Sequence, residues 1–385
     1  MVTLQTADSA LKSFYLDAVT KEIDEKGSPF FAMIEKTSAN VAGKSVTKVV
    51  KTGFGGVGAG AEDGTLPDGN NGEYISLTAP LKNIYGTIEI TDKAIRASAS
   101  NEGAFVNLLN EEMDSLVQSA KYNFARMLFG DGSGKLGTMV NRSGSQYQFD
   151  TTDSIEPGMC VDVWSGGQII YTNCKIRSVN KKTGIVEFSS GIGSDSGIAL
   201  GSEIYLHGVK PDYELTGLKA IFSSAPLYGV MRTNPYMAPY MEMVNGDIDE
   251  DIVQKAMDEV ERASGGKVDL IVCSWGVRRA LVNAFRERNY PIANIKIGDS
   301  ISAISFNGVP VVVDRFCPSG TMYLLNTKDF KLCQLCDWQW MEGEDGKVLK
   351  QVPGKPVYTA TLVKYAELIC QKPCGQAMLT GITEA

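Results

Sequence analysis

Residues 101–129, NEGAFVNLLNEEMDSLVQSAKYNFARMLF, carry apolar side chains at Phe105, Leu108, Leu109, Met113, Leu116, Val117, Ala120, Phe124, Met127 and Leu128. This i, i+3, i+4, i+7 recurrence holds over the whole stretch and predicts one amphipathic helix with a single buried stripe. Ser100 or Asn101 supplies a cap, Glu102 suits the positive end of the helix dipole, and Gly130 ends the run. At about 1.5 Å per residue the helix is roughly 40 Å long, the length of a girder. Phe105, Leu109, Met113, Leu116 and Phe124 are its expected packing residues.

Upstream, residues 44–92 read as a long two-stranded ribbon. KSVTKVVKT (44–52) alternates polar and β-branched residues, and EYISLTAPLKNIYGTIEIT (73–91) reads as a second extended strand. Between them GFGGVGAGAEDGTLPDGNNG is rich in glycine and almost free of apolar side chains. An isolated ribbon is marginally stable in water, so one this long is expected to lie on a neighbour. Gly53, Gly55 and Gly58 give its tip freedom; Glu62, Asp63, Pro67 and Asp68 shape and charge it. Before the ribbon, residues 1–43 form an arm whose Leu11, Phe14, Tyr15 and Ala18 recur at helical spacing until Ser28-Pro29 interrupts them.

Downstream, residues 140–212 hold GMCVDVWS, QIIYTNCKIRSV, GIVEFSS and GSEIYLHG between Gly/Ser/Asn turns. Short strands at this spacing predict an inserted barrel-like or sandwich-like β domain. Residues 213–330 alternate helix (IDEDIVQKAMDEVERAS, WGVRRALVNAFRER) with strand (VDLIVCS, ISAISFNGVPVVVDRF, TMYLLN), and residues 331–385 return to strands. The class is α+β.

The chain has 385 residues, 43% hydrophobic and 21% charged, enough for several compact units with their own cores. Its net charge of −8 comes with only two adjacent basic pairs, Lys181-Lys182 and Arg278-Arg279, which disfavours sequence-specific nucleic-acid binding. No basic-then-apolar leader opens it, and no run approaches a membrane span. Eight cysteines, at 160, 174, 273, 317, 333, 336, 370 and 374, are expected to be thiols in a reducing compartment.

Gly53–Gly58 fits G-x-G-x-x-G, but AGAEDGTLPDGNN follows where a phosphate-binding helix would have to start. GDGSGKLG (130–137) departs from the phosphate-loop pattern, with Phe129 at the first glycine position and Leu136 after the lysine. Asp247, Asp249 and Asp251 begin like a calcium loop, but Ile252 stands where glycine is required; acidic charge at a helix N-terminus explains them. Cys333-x-x-Cys336 with Cys370 and Cys374 has the count of a zinc site, yet the first pair sits in a strand among Leu332, Leu335 and Trp338. The single histidine, His207, reads as a half-buried strand residue with no partner that the sequence can place beside it. No catalytic set, cofactor or metal is expected.

The order of parts resembles the tailed-bacteriophage major capsid protein family, with its Hong Kong 97-like fold. Strings similar to family members are GAGAEDGTLPDGNNGEYISLTAPLKNIYGTIEITDKAI (58–95), LYGVMRTNPYMAPYM (227–241), VDLIVCSWGVRRAL (268–281) and NGVPVVVDRFCPSGTMYLLNTKDF (307–330). The resemblance implies an N-terminal arm (1–43), an extended E-loop hairpin (44–92), a P-domain with the spine helix (93–139), an inserted β domain (140–212), an A-domain (213–330) and C-terminal strands completing the P- and A-domains (331–385). It also implies self-assembly into hexamers and pentamers of an icosahedral head in the host cytoplasm. That head would enclose double-stranded DNA without sequence-specific contact, with a separate scaffolding protein, a portal and decoration proteins as partners and no membrane. The covalent Lys–Asn cross-link of some members has no matching triad here, although Lys51 and Lys82 lie near the hairpin. A soluble α/β enzyme built around 248–330, or a tail or baseplate protein, is the alternative.

Overall fold

The computed structural model describes residues 28–53, 59, 62, 72–93, 102–190, 192, 198–288, 293–297, 301–343 and 346–385; the side chains of 102–110, 190, 293–294, 296–297 and 301–302 are outside that description. The helical patch around Leu11–Ala18 therefore lies outside it.

The long amphipathic stretch is a continuous helix, α2 (Glu102–Phe129). Its stripe buries Met113, Leu116, Phe124 and Leu128 against a five-stranded sheet. In that sheet β18 (Phe330–Trp340) and β5 (Lys82–Thr91) flank the central β20 (Val357–Cys370), both antiparallel to it. The short β19 (Lys350–Gln351) pairs with the start of β20, and β1 (Glu35–Thr37) runs parallel to β18. Period-two alternation sends Ile88, Ile90, Ala360, Leu362, Ala366 and Leu368 inward. The helix approaches β5 closely at Gly86, where a Cβ would stand 2.7 Å from Leu116 Cδ1.

The arm does not end as a free strand. Pro29 opens a short helix, α1 (Pro29–Ala32), that inserts Phe30 and Phe31 into the core. A proline fits the first helical turn, where its missing N–H is not needed. Phe31 meets Phe124 edge-on at 4.8 Å, and Phe30 meets Phe330 at 5.1 Å.

The ribbon reading needs correction. Strands β3 (Ser45–Lys51) and β4 (Tyr74–Pro80) pair in register from Ser45↔Pro80 to Lys51↔Tyr74, with β2 (Val41–Ala42) alongside β3. The second strand does not continue through 91. The chain turns at Leu81, whose N–H donates to Lys44 O, and β5 leaves the ribbon for β20. Proline at 80 has no N–H to give the ladder, and the apolar face of 84–90 finds a better partner in β20.

After Gly130 a closed antiparallel barrel follows: β6 (Lys135–Ser143), β7 (Gln146–Phe149), β8 (Cys160–Ser165), β9 (Gln168–Asn180), β10 (Ile185–Ser190) and β11 (Glu203–Leu206), in spatial order β10-β7-β6-β11-β8-β9. It starts earlier than residue 140 because Leu136 and Met139 already point into its core. Its ends are joined, Asp212 N–H to Ser133 O at 2.9 Å, so it enters and leaves the fold at one place.

The chain then crosses a short helix, α3 (Leu218–Ile221), and builds a mixed seven-stranded sheet. The order is β12 (Tyr240–Gly246), β21 (Ala377–Ile382), β17 (Met322–Leu325), β13 (Leu270–Cys273), β16 (Val309–Val313), β15 (Ile301–Phe306) and β14 (Ala293–Ile297). Helices α4 (Glu250–Ser264) and α5 (Trp275–Glu287) cover one face through Val253, Ala256, Val260, Val277, Leu281 and Phe285. Asp249 caps α4 by accepting from Ile252 N, and left-handed Gly265 ends it. The other face, with Val272, Val312 and Tyr323, joins the core beneath α2.

Phe124 is where helix, arm and sheet meet. Phe124→Ala is expected to cost about 3–5 kcal/mol of unfolding free energy, the range for truncating a buried phenylalanine, read from the midpoint shift in a urea titration of the monomer.

Candidate assembly surfaces

Met113, Leu116 and Phe124 are buried in the protomer's own core; the side chains of Phe105 and Leu109 lie outside the described residues. Beside Phe124 sits Lys364, fully buried on β20. Its ammonium donates to Gln334 Oε1 at 2.8 Å and Asp337 Oδ1 at 2.5 Å, and lies 5.6 Å from the Trp338 ring and 6.0 Å from that of Phe124. Burial alone would raise the Asp337 carboxyl, but Lys364 and the Trp338 N–H hold it down at about 2. A second buried ion pair, Arg126 with Glu214, ties the end of α2 to the segment leaving the barrel.

The ribbon has two unlike faces. Val46, Leu77 and Ala79 are buried in the protomer's core, with Val50 and Ile75 partly buried on the same side, and Thr78 N–H donates to Tyr228 O. On the outward face Thr47, Val49, Lys51, Tyr74, Ser76 and Thr78 stand in solvent, with Val49 60% and Tyr74 62% exposed at the far end. Gly53 follows directly. Its N–H donates to Glu73 O, and a Cβ there would fall 2.5 Å from Glu73 N, so the strands close too tightly for a side chain. Glu62 lies in an exposed turn; Gly55, Gly58, Asp63, Pro67 and Asp68 lie outside the described residues.

His207 is placed differently from the sequence reading, exposed in a turn and not half-buried in a strand, whereas the acidic 249–251 run stands at a helix N-terminus as expected. His207 follows β11 and does have a partner: Nδ1 lies 2.8 Å from Asp162 Oδ1 on β8. β8 and β11 are neighbours in the barrel, a pairing that the local sequence does not carry. Asp162 is buried and also accepts from Thr172 Oγ1, Asn173 N and Gly208 N, so it pins the loops around it. The acidic 249–251 run is gathered by Arg288, which pairs with Asp249, Glu250 and Asp251 at 2.8–3.1 Å. Among the described residues no group of three or more His, Cys, Asp or Glu is placed to hold a metal, and the eight cysteines are free thiols.

The sequence reading also missed Glu367 on β20, whose strand alternation gives no sign of an acid facing inward. It is fully buried; Oε1 accepts from Thr216 N at 2.8 Å and Leu368 N at 3.0 Å, and Oε2 has no partner.

A girder helix under a sheet, an outstretched ribbon, and a second helix-covered sheet with a barrel inserted between define the Hong Kong 97-like capsid fold. Residues 209–347, which hold six of the seven strands of the helix-covered sheet and all of β18, match the family model described as SU10 major capsid protein. The capsid asymmetric unit of cyanophage A-1(L) superposes with a TM-score of 0.57 over 92% of both chains at 12% identity. The SrpI encapsulin of Synechococcus elongatus PCC 7942 (TM-score 0.46, 12% identity, 93% of this chain and 89% of that) and the capsid of Myoviridae phage XM1 (0.42, 10%, 91% and 90%) are more distant. No curated protein matches in sequence. The chain therefore has the fold of a phage capsid subunit, and its residues 209–347 are similar to the SU10 major capsid protein family.

Burial pushes the Glu367 carboxyl up from 4.5 to about 7. The folded state therefore holds a proton that the unfolded state has lost between those values, and stability falls as pH rises through that window. Glu367→Gln is expected to raise the melting temperature by about 2–5 °C near pH 8 and to leave it unchanged near pH 4, as read by calorimetry across pH.

Proposed function

We propose that copies of this chain join as hexamers and pentamers into an icosahedral head that encloses double-stranded DNA, assembled in the host cytoplasm around a separate scaffolding protein, with portal and decoration proteins as further partners. In this reading 1–43 is the N-terminal arm, 44–80 the E-loop, 81–134 with part of 331–385 the P-domain, 135–212 the inserted domain, and 213–330 with β21 the A-domain. The role is mechanical, with no catalytic step, no cofactor and no membrane. The inserted barrel is proposed to decorate the outer surface, held to the helix-covered sheet by Glu156, which pairs with both Lys181 of the barrel and Arg315.

The observation that carries the reading is the two-faced ribbon. Its base is anchored in its own protomer by Val46, Leu77 and Ala79, while its far end presents Val49 and Tyr74 to solvent. A monomer gains nothing from exposing apolar side chains at the end of an extended ribbon. Laid across the spine helix and arm of a second copy, Val49 and Tyr74 would be covered, and Glu62, Asp63 and Asp68 at the tip would find basic partners. Exposed ion pairs of that sort contribute about 0–1 kcal/mol each, so they fix register while the repeated lattice supplies strength.

Removal of residues 57–72 tests this. The shortened protein is expected to melt like the full chain, because its anchoring residues are retained, yet to yield no closed shells by sedimentation and negative-stain imaging. Shells of normal size and stability from that variant would overturn the ribbon's role.

A further inference from the structure

The helix-covered sheet is electrostatically lopsided. α4 packs over β12 and β21 and α5 over β16, so the two edges of the sheet, β12 and β14, lie on opposite sides of the helix pair. At the β12 edge the chain runs from the strand straight into Asp247, Asp249, Glu250 and Asp251. Against these four carboxylates stands Arg288 alone, and it leaves Asp251 83% exposed and Asp247 exposed with no partner among the described residues. On the other side, between α5 and β15, lies a cleft of about 510 Å³ lined by Arg278, Arg279, Asn283, Arg286, Ala303 and Ile304. Arg279 donates through Nε to Ala385 O, whereas Arg278 and Arg286 have no carboxylate partner among the described residues. The positions 279, 283 and 286 follow i, i+4, i+7 and 278, 282, 286 follow i, i+4, i+8, so one face of α5 carries all three guanidinium groups into the cleft.

We propose that the arginine cleft of one copy receives the acidic 247–251 turn of the next, so that copies join head to tail through the two unlike edges of this sheet. The proposal rests on the shell-forming reading above and supplies the partner for one of its interfaces. A contact between two different faces of the same molecule closes into a ring when the rotation between copies divides a full turn, which a self-complementary contact cannot do beyond a pair. Guanidinium groups suit carboxylates because each offers a planar fork of donors, and the cleft holds them open and close together. The −8 net charge of the chain makes these unneutralised arginines a local exception, and the complementary charge nearest to hand at every step of assembly is another copy's acidic turn. Opposed patches of this kind steer encounter and fix which edges meet more than they add strength. Like edges are kept apart by the same charges.

Charge reversal on purified full-length chain tests it, with assembly followed by light scattering and sedimentation. Arg278→Glu with Arg286→Glu, and separately Asp247→Lys with Asp251→Lys, are each expected to slow oligomer formation by about tenfold or more at low salt. All four reversals in one chain restore complementarity and should return the rate to within about threefold of the unaltered protein. Reversed pairs that assemble at the unaltered rate, or a fourfold variant no faster than the slower pair, would overturn the contact. If a reversal lowers the melting temperature of the monomer, Arg278→Gln with Arg286→Gln reads the same contact, and its assembly should lose most of its salt dependence. An unaltered chain that stays monomeric at every concentration sinks the shell reading itself, an outcome distinct from the failure of this interface.

Discussion

The structure depends on the burial of one stripe of α2 against the β18–β20–β5 sheet. That contact draws together parts of the chain far apart in sequence: Phe30 and Phe31 from the arm, Ile88 and Ile90 from β5, Phe330 and Trp338 from β18, and Leu362 to Leu368 from β20. Each fully buried side chain of this size contributes about 1.5–3 kcal/mol relative to exposure, so a stripe of four or more outweighs any single polar contact nearby. The cost of burying Lys364 at its centre is offset only because Gln334 and Asp337 satisfy it and two aromatic faces lie beside it. A buried ammonium in that place also discourages sliding of β20 past β18, since a register slip of one residue would turn Lys364 away from both partners.

The helix was legible because its signal is local and long. Ten apolar positions at the right period over 28 residues leave no competing strand reading. The same holds for α4 and α5, where Asp249 and Ser274 act as caps that the sequence displays directly. What was not legible is partner choice. Residues 73–91 keep period-two alternation through Pro80 and Leu81, so they read as one strand; that β5 belongs to β20 is decided far away in sequence, in pairings such as Thr87↔Thr361, 274 residues apart. The arm is too short to bury a core by itself, and nothing local in it shows that Phe30 and Phe31 bury against the core that the rest of the chain builds.

Polar groups show the same divide. His207 could not be given a partner from its neighbours because Asp162 is brought to it by barrel closure. Glu367 sits in a run of apolar residues, YAELIC, and only the arrival of Thr216 over that end of β20 explains how it is tolerated. The adjacent arginines at 278–279 were visible, but their meaning was not. Helical spacing adds Arg286 to the same face, and only the sheet order sets that face opposite the acidic turn after β12. Net charge alone pointed away from any basic surface, because a sum over the chain hides a dipole within one domain.

That internal asymmetry bears on how a wall can be both specific and correctable. A subunit held by one large apolar interface would bind misplaced neighbours nearly as well as correct ones, since apolar burial is not directional. Here the large apolar burial lies inside the protomer, on α2 and its sheet, and the surface carries scattered exposed apolar side chains such as Val49, Tyr74, Met243 and Trp275 beside charged patches of modest strength. Contacts of that kind separate quickly when only one is made and hold when several close at once, because the second and third form within an already tethered pair. With the contacts proposed above, a protomer with a well-packed core and weak, unlike edges would discriminate by the number of contacts satisfied together, a test that a copy inserted in the wrong orientation would fail.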